Sequence, residues 1–318
     1  MTKIVVRMRG GLGNQLFCYA AARRLALAND AELVIDNVTG FRQDHLFHRR
    51  YMLDPFHIQA RKATAAERLE PFTLYRRGVM RWRSRRRPFA ERRYLDQEGF
   101  DFDQRLLNLR INGVLYLDGH WQSDEYFRDV ESTIREDLRI NPPTDALNQR
   151  IAGEIRSSVA VAMHVRWFDP PDSASVYNVS ADYYHRAIGL MESRVNFPRY
   201  FVFSDNPEAV RARIVLPRER VTFVSHNRGD ENGWADLWLM SLCRHFIIAN
   251  STFSWWGAWL GTDREKIVVA PDLKIDGKTA WGFKGLIPNS WVQLRSEYQE
   301  GIVRGRWRRM FKGDLRSI

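Results

Sequence analysis

The second half of this chain holds a series of short apolar runs. Each is followed at once by polar residues. "SVAVAM" leads into His164 and Arg166, "YFVF" into Ser204, Asp205 and Asn206, and "FIIA" into Asn250, Ser251 and Thr252. The runs 158–165, 199–204, 220–225, 245–250 and 266–271 read as strands. Helical patterns separate them, near 181–195, 207–213, 234–243 and 254–260. Apolar strands alternating with helices predict a parallel sheet covered on both faces. In such a sheet, ligands bind outside the carboxyl ends of the strands. Three strands would thus deliver a histidine, a fixed cation, a carboxylate and hydroxyl groups to one rim.

The first half repeats the theme less clearly. "KIVVRM" (3–8) predicts a strand, "RGGLGNQ" a turn, and residues from about Gln15 to Ala28 a helix. "AELVIDN" (31–37) is the next strand. "NGVLYLDGHWQSDEYF" (112–127) reads as strand, loop, then a helix toward Leu138. Residues 40–110 carry no assignable pattern. A break at "INPPTD" (140–145) places a boundary just beyond it, giving units 1–150 and 151–318.

The chemistry at the predicted rim suits a diphosphate. Arg166 offers a planar fork of donors to phosphate oxygens. Ser251 or Thr252 would cap a helix beginning near Ser254, whose free N–H groups favour an anion. Asp205 would accept hydrogen bonds from a base or ribose. The tryptophans 255, 256 and 259 are expected in the core, holding that helix end in place. Gly10, Gly11 and Gly13 permit close backbone approach, but the G-x-G-x-x-G spacing is absent, so a dinucleotide cofactor is not expected. The pair in "DFD" (101–103) does not end a convincing strand. His45 and His48 lack further ligands, so no metal site is expected.

Charge and cysteine content bound the setting. The net charge is +11. It is concentrated in 76–93, with nine arginines and one glutamate, and in the tail 301–318. Basic segments interleaved with Trp and Phe bind nucleic acid, anionic lipid or an acidic substrate, or are simply solvated surface. No zinc-finger or RRM signature accompanies them, so nucleic acid is not expected. The two cysteines, Cys18 and Cys243, suit a reducing compartment. With no signal-peptide pattern and no long apolar run, the expected place is the cytoplasm, peripheral at most on the cytoplasmic face of the inner membrane.

The motifs "GGLGNQLFCYAAARRLAL", "GHWQSDEYF", "MHVRWFD", "VSADYYHRAI", "YFVFSDN", "DLWLMSLCRHFIIANSTFSWWGAWL" and "KIVVAP" occur in this order. Together they resemble glycosyltransferase family 11, the alpha-1,2-fucosyltransferases, in its bacterial form. The resemblance implies a GT-B fold, with two Rossmann-like domains facing across a cleft. It implies inverting, metal-independent transfer from GDP-L-fucose to an acceptor glycan, a surface polysaccharide or oligosaccharide; the basic segments 76–93 and 301–318 would bring the enzyme to an anionic membrane face carrying lipid-linked acceptors. Carried over, Arg166 contacts the pyrophosphate with His164 beside it. Asp205 lies near the guanosine, Ser204 belongs to the donor-binding set, and Asn250, Ser251, Thr252 and Phe253 line the phosphate pocket. Gly11, Asn14 and Gln15 approach from the other domain. The family usually reads His-x-Arg-Arg-Gly-Asp where this chain has "HVRWFD", so Trp167 and Phe168 are expected to alter the fucose pocket or the acceptor. Asp169 is a candidate general base or a structural partner of Arg166. Asp118, His120 and Asp124 are further candidates for the base.

Overall fold

The computed structural model describes residues 1–45, 47–167, 178–275 and 277–298. In the first part, β1 (Lys3–Arg7) leads into α1 (Leu12–Ala28) and β2 (Glu32–Asp36). Next come β3 (Arg61–Lys62), α2 (Thr73–Arg85), β4 (Tyr94–Asp96), β5 (Val114–Asp118) and α3 (Glu131–Asp137). Helix α4 (Ala146–Arg156) runs unbroken through the expected 150/151 boundary, so the division falls before it; β6 (Ala160–Val165), α5 (Ala181–Arg194), β7 (Arg199–Ser204), α6 (Pro207–Arg213) and β8 (Val221–Val224) follow. The described chain then runs through α7 (Gly233–Ser241), β9 (His245–Ile247), α8 (Thr252–Leu260), β10 (Val268–Ile275), β11 (Lys278–Trp281) and β12 (Val292–Tyr298).

The strands form two sheets. The first is parallel throughout, in the order β3-β2-β1-β5-β4. The second runs β11-β10-β9-β6-β7-β8, with β12 parallel to β10 and only β11 antiparallel. The central strands β1, β6 and β7 are buried through most or all of their length, which is why they read as continuous apolar runs. Two parallel sheets joined across a cleft make this a GT-B fold.

Where the units meet, the packing is aromatic. Trp255 and Trp256 are fully buried, their rings 4.5 and 4.9 Å from that of Phe17 on α1. Phe127 stacks on Trp256 at 5.6 Å. Arg135 lies over Trp259 at 4.2 Å and donates to the Trp259 carbonyl at 2.7 Å. The tryptophans are core, as their sequence context predicts, but they also weld the two sheets together. That role depends on partners far away in the chain.

Two sequence expectations are corrected. The single helix toward Leu138 is broken into short 3-10 turns at Asp124–Tyr126 and Arg128–Val130 before α3. Phe127, between them at φ −139° and ψ 14°, leaves helical geometry and turns its ring into the tryptophan cluster. The unassigned stretch 40–110 contains β3, α2 and β4.

Candidate active site

A cleft of about 950 Å³ opens between the sheets. From the first unit it is lined by Gly11, Leu12, Gly13, Asn14, Arg49, Met52 and Gln122. The turn after β1 uses Gly10 at φ +70°, a conformation that favours glycine. Gly13 lies directly against the start of α8. A Cβ there would come within 2.5 Å of the Phe253 amide nitrogen and 2.6 Å of the Thr252 hydroxyl. Asn14 faces the cleft and accepts from Gln122 Nε2 at 2.9 Å.

Gln15, expected in the donor set, is not among the lining residues. It is fully buried. Its amide nitrogen donates to the carbonyls of Gly10 and Arg50 at 2.9 and 2.8 Å, and its oxygen accepts from the Met52 amide at 2.9 Å. Gln15 thus ties the glycine turn to the segment bearing Arg49, from behind the wall.

From the second unit, the strand-end residues converge as the sheet rule predicts. His164, Arg166, Ser204, Asp205, Asn250, Ser251, Thr252 and Phe253 all line the cleft. Arg166 stands just past β6 and pairs with Asp205 across the neighbouring strand end at 3.3 Å. Asp169 lies outside the described residues. Burial and then the neighbouring Arg166 push His164 down to about 3, so its ring is neutral near pH 7. Its Nδ1 is buried without a hydrogen-bond partner.

Helix α8 begins at Thr252, two residues earlier than its pattern suggests. Ser251 occupies the N-cap position but makes no side-chain capping bond. Since Ser251 and Thr252 also line the cleft, the positive end of α8 is presented there with its side-chain cap unmade.

Trp167, one of the two departures from the family pattern, is buried in the apolar cluster of the second sheet, and its indole donates to the Val179 carbonyl at 3.2 Å. It is absent from the cleft lining. Phe168 lies outside the described residues.

The remaining carboxylates and histidine also find places. Asp118, His120 and Asp124 do not line the cleft. Burial alone would raise Asp118, but Arg7, Arg9 and the Tyr94 hydroxyl outweigh it and hold the group at about 2. A carboxylate so held is a poor base. Burial pushes His120 down to about 3. Burial raises Asp124, which bonds Arg128. Asp103 caps its own short turn and binds Arg105, while Asp101 accepts from the Lys284 amide; neither lines the cleft. Among the described residues no group of three or more His, Cys, Asp or Glu could hold a metal ion.

Residues that sequence reading passed over complete the lining. Arg49 reaches in from the first unit and pairs with Asp230 of the second. Asp236, in the first turn of α7, is pushed up to about 7 by burial, although Asn227 donates to it at 2.8 Å. Asn227 is itself held by Asn148 on α4, at 2.9 and 3.0 Å. The strand-end rule, applied to β8, points to Asn227. Asp236 opens the quoted motif "DLWLMSLCRHFIIAN", but neither it nor Arg49 follows a strand end, so the strand-end rule passes over both.

Two facing α/β sheets with a cation and an open helix N-terminus in their shared cleft make a site that favours a bound anion. The chain belongs to glycosyl transferase family 11, which it matches over residues 3–280. It is 27% identical over 304 residues to an alpha-1,2-colitosyltransferase of Escherichia coli, covering 92% of this chain and 99% of that one. It is 28% identical over 306 residues to the O-antigen biosynthesis glycosyltransferase WbnK of Escherichia coli, covering 90% and 99%. A looser backbone likeness is to the alpha-1,6-fucosyltransferase NodZ soaked with GDP-fucose. The TM-score is 0.49 at 16% identity, over 81% of this chain and 92% of that one.

Proposed function

We propose that this glycosyltransferase moves L-fucose from GDP-L-fucose to an acceptor glycan hydroxyl, with inversion and in alpha-1,2 linkage. The observation that carries the reading is the uncapped N-terminus of α8 sharing one cleft with Arg166. The departing diphosphate gains negative charge in the transition state, and both features are fixed donors for it. No metal is needed in this reading, because Arg166 and the helix end supply the positive charge.

The guanine preference rests on Asp236. Although burial raises Asp236, in its ionised form the carboxylate can accept two parallel hydrogen bonds from the N1–H and exocyclic amine of guanine, and those two donors favour that form. Uracil and cytosine present no such pair of donors. The acceptor is proposed to be a growing surface polysaccharide or oligosaccharide on a lipid carrier, at the cytoplasmic membrane face. Its general base is not assigned to any described residue.

A second reading takes another GDP-sugar as donor, and the colitosyltransferase among the relatives favours it. Transfer assays with GDP-fucose and GDP-colitose decide between them. Thermal shifts test the shared nucleotide. GDP should raise the melting temperature while UDP does little, and Asp236→Asn should erase most of that difference. A UDP shift equal to or above that of GDP would overturn the guanine assignment.

A further inference from the structure

Helix α2 is amphipathic in the wrong sense for a helix of a globular core. Its buried positions are polar: Thr73, Arg77 and Ser84 are all below 7% exposed. Its large apolar side chains face outward. Tyr75 is 75% exposed and Trp82 55%, with Phe72 at 65% and Leu74 at 64% beside the first turn. At 100° per residue, Tyr75, Val79, Trp82 and Arg86 share the stripe opposite Thr73, Arg77 and Ser84.

The inward polar face has a clear cause. Arg77, Arg81 and Arg85 recur at i, i+4 and i+8 and reach the last residues of three strands. Arg77 pairs with Asp36 of β2, Arg81 with Asp118 of β5 at 3.5 Å, and Arg85 with Asp96 of β4. The helix lies across the carboxyl edge of the first sheet and is held there by ion pairs. The apolar stripe is therefore left for something else.

We propose that the outer face of α2 docks on an anionic lipid bilayer. Charge selects this occupant. Between Glu70 and Glu91 the chain has no acidic residue. Among the described residues no carboxylate pairs with Arg76, Arg83, Arg86 or Arg87, all exposed around the stripe. The Arg86 guanidinium lies over the Trp82 ring at 3.7 Å, so cation and aromatic present together. Trp and Tyr belong at the level of lipid headgroups, and arginines beside them meet the negative surface potential. Docking through α2 also sets the carboxyl edge of the first sheet next to the bilayer. The proposal does not depend on which sugar is transferred.

Sedimentation of the full-length protein with vesicles tests it. One set is phosphatidylcholine alone, and the other contains phosphatidylglycerol. The double variants Tyr75→Ser/Trp82→Ser and Arg83→Glu/Arg86→Glu keep the basic tail and the inward arginines. The wild type should sediment with the anionic vesicles only, and each double variant should lose about tenfold or more in partitioning. Brominated lipid should quench the wild type, and Trp82→Phe should lose most of that quenching while still binding. Melting temperature and transfer to a water-soluble acceptor should be unchanged in all variants. Anionic binding that survives both double variants would assign attachment to other basic segments and overturn the proposal. So would equal binding to neutral vesicles, no binding to either, or a concentration-dependent dimer that only the α2 variants abolish.

Discussion

Replacing Gly13 by alanine should separate the two halves of the cleft without unfolding either. The added Cβ would lie 2.5 Å from the Phe253 amide nitrogen, whereas ordinary contact begins at 3.4 Å. These are backbone atoms of α8, so no side-chain rotation relieves the clash. The two backbones must part by about 1 Å, and a displacement of that size typically costs about 10²-fold in rate. That corresponds to about 2.7 kcal/mol of lost transition-state stabilisation. The GDP-contacting groups proposed above stay together on the second unit, so GDP affinity should change much less than kcat. Gly11→Ala provides the comparison, because its Cβ would meet only the Arg49 guanidinium, at 3.7 Å. Its melting temperature should stay near that of the wild type. Steady-state transfer, GDP titration and thermal melting on both variants test the reasoning. A Gly13→Ala enzyme with native kcat would refute the claim that this contact sets the cleft.

Three further outcomes are expected. Arg166→Lys keeps the charge but loses the fork, and both it and Arg166→Ala should fold yet lose about 10² or more in transfer; a folded alanine variant with near-native turnover would remove Arg166 from the mechanism. Transfer should persist in excess EDTA, and loss restored by manganese or magnesium would show that a cation takes part. His164 is held at about 3 in the fold against 6.5 for a free imidazole, so its stabilising contribution is complete above pH 6.5 and lost as pH falls toward 3. Asp236 titrates in the opposite sense, so the change in slope is the measure. Between pH 6 and 5, unfolding free energy should fall less steeply in His164→Asn than in the wild type, by about 1 kcal/mol per pH unit. Identical slopes would mean that the ring is not held neutral.

Five strands of the second sheet and the residues at their ends were legible in the sequence, whereas β11 and β12 were not. His164, Arg166, Asp205 and Asn250–Phe253 are local signals, since buried parallel strands must be apolar and their carboxyl ends must carry whatever binds. The other placements depend on contacts between residues far apart in the chain. Gln15 sits in a ligand-like motif, yet its side chain is consumed by the backbone of residues 10, 50 and 52. Trp167 replaces a motif residue, yet it turns into the core. Arg49 and Asp236 reach the cleft through contacts with residues distant in the chain. Helix α2 escaped recognition because its apolar residues face outward, so periodicity that marks a buried face elsewhere marks an exposed one here. The inward arginines make sense only beside Asp36, Asp96 and Asp118, which chain order separates and the sheet brings to one edge.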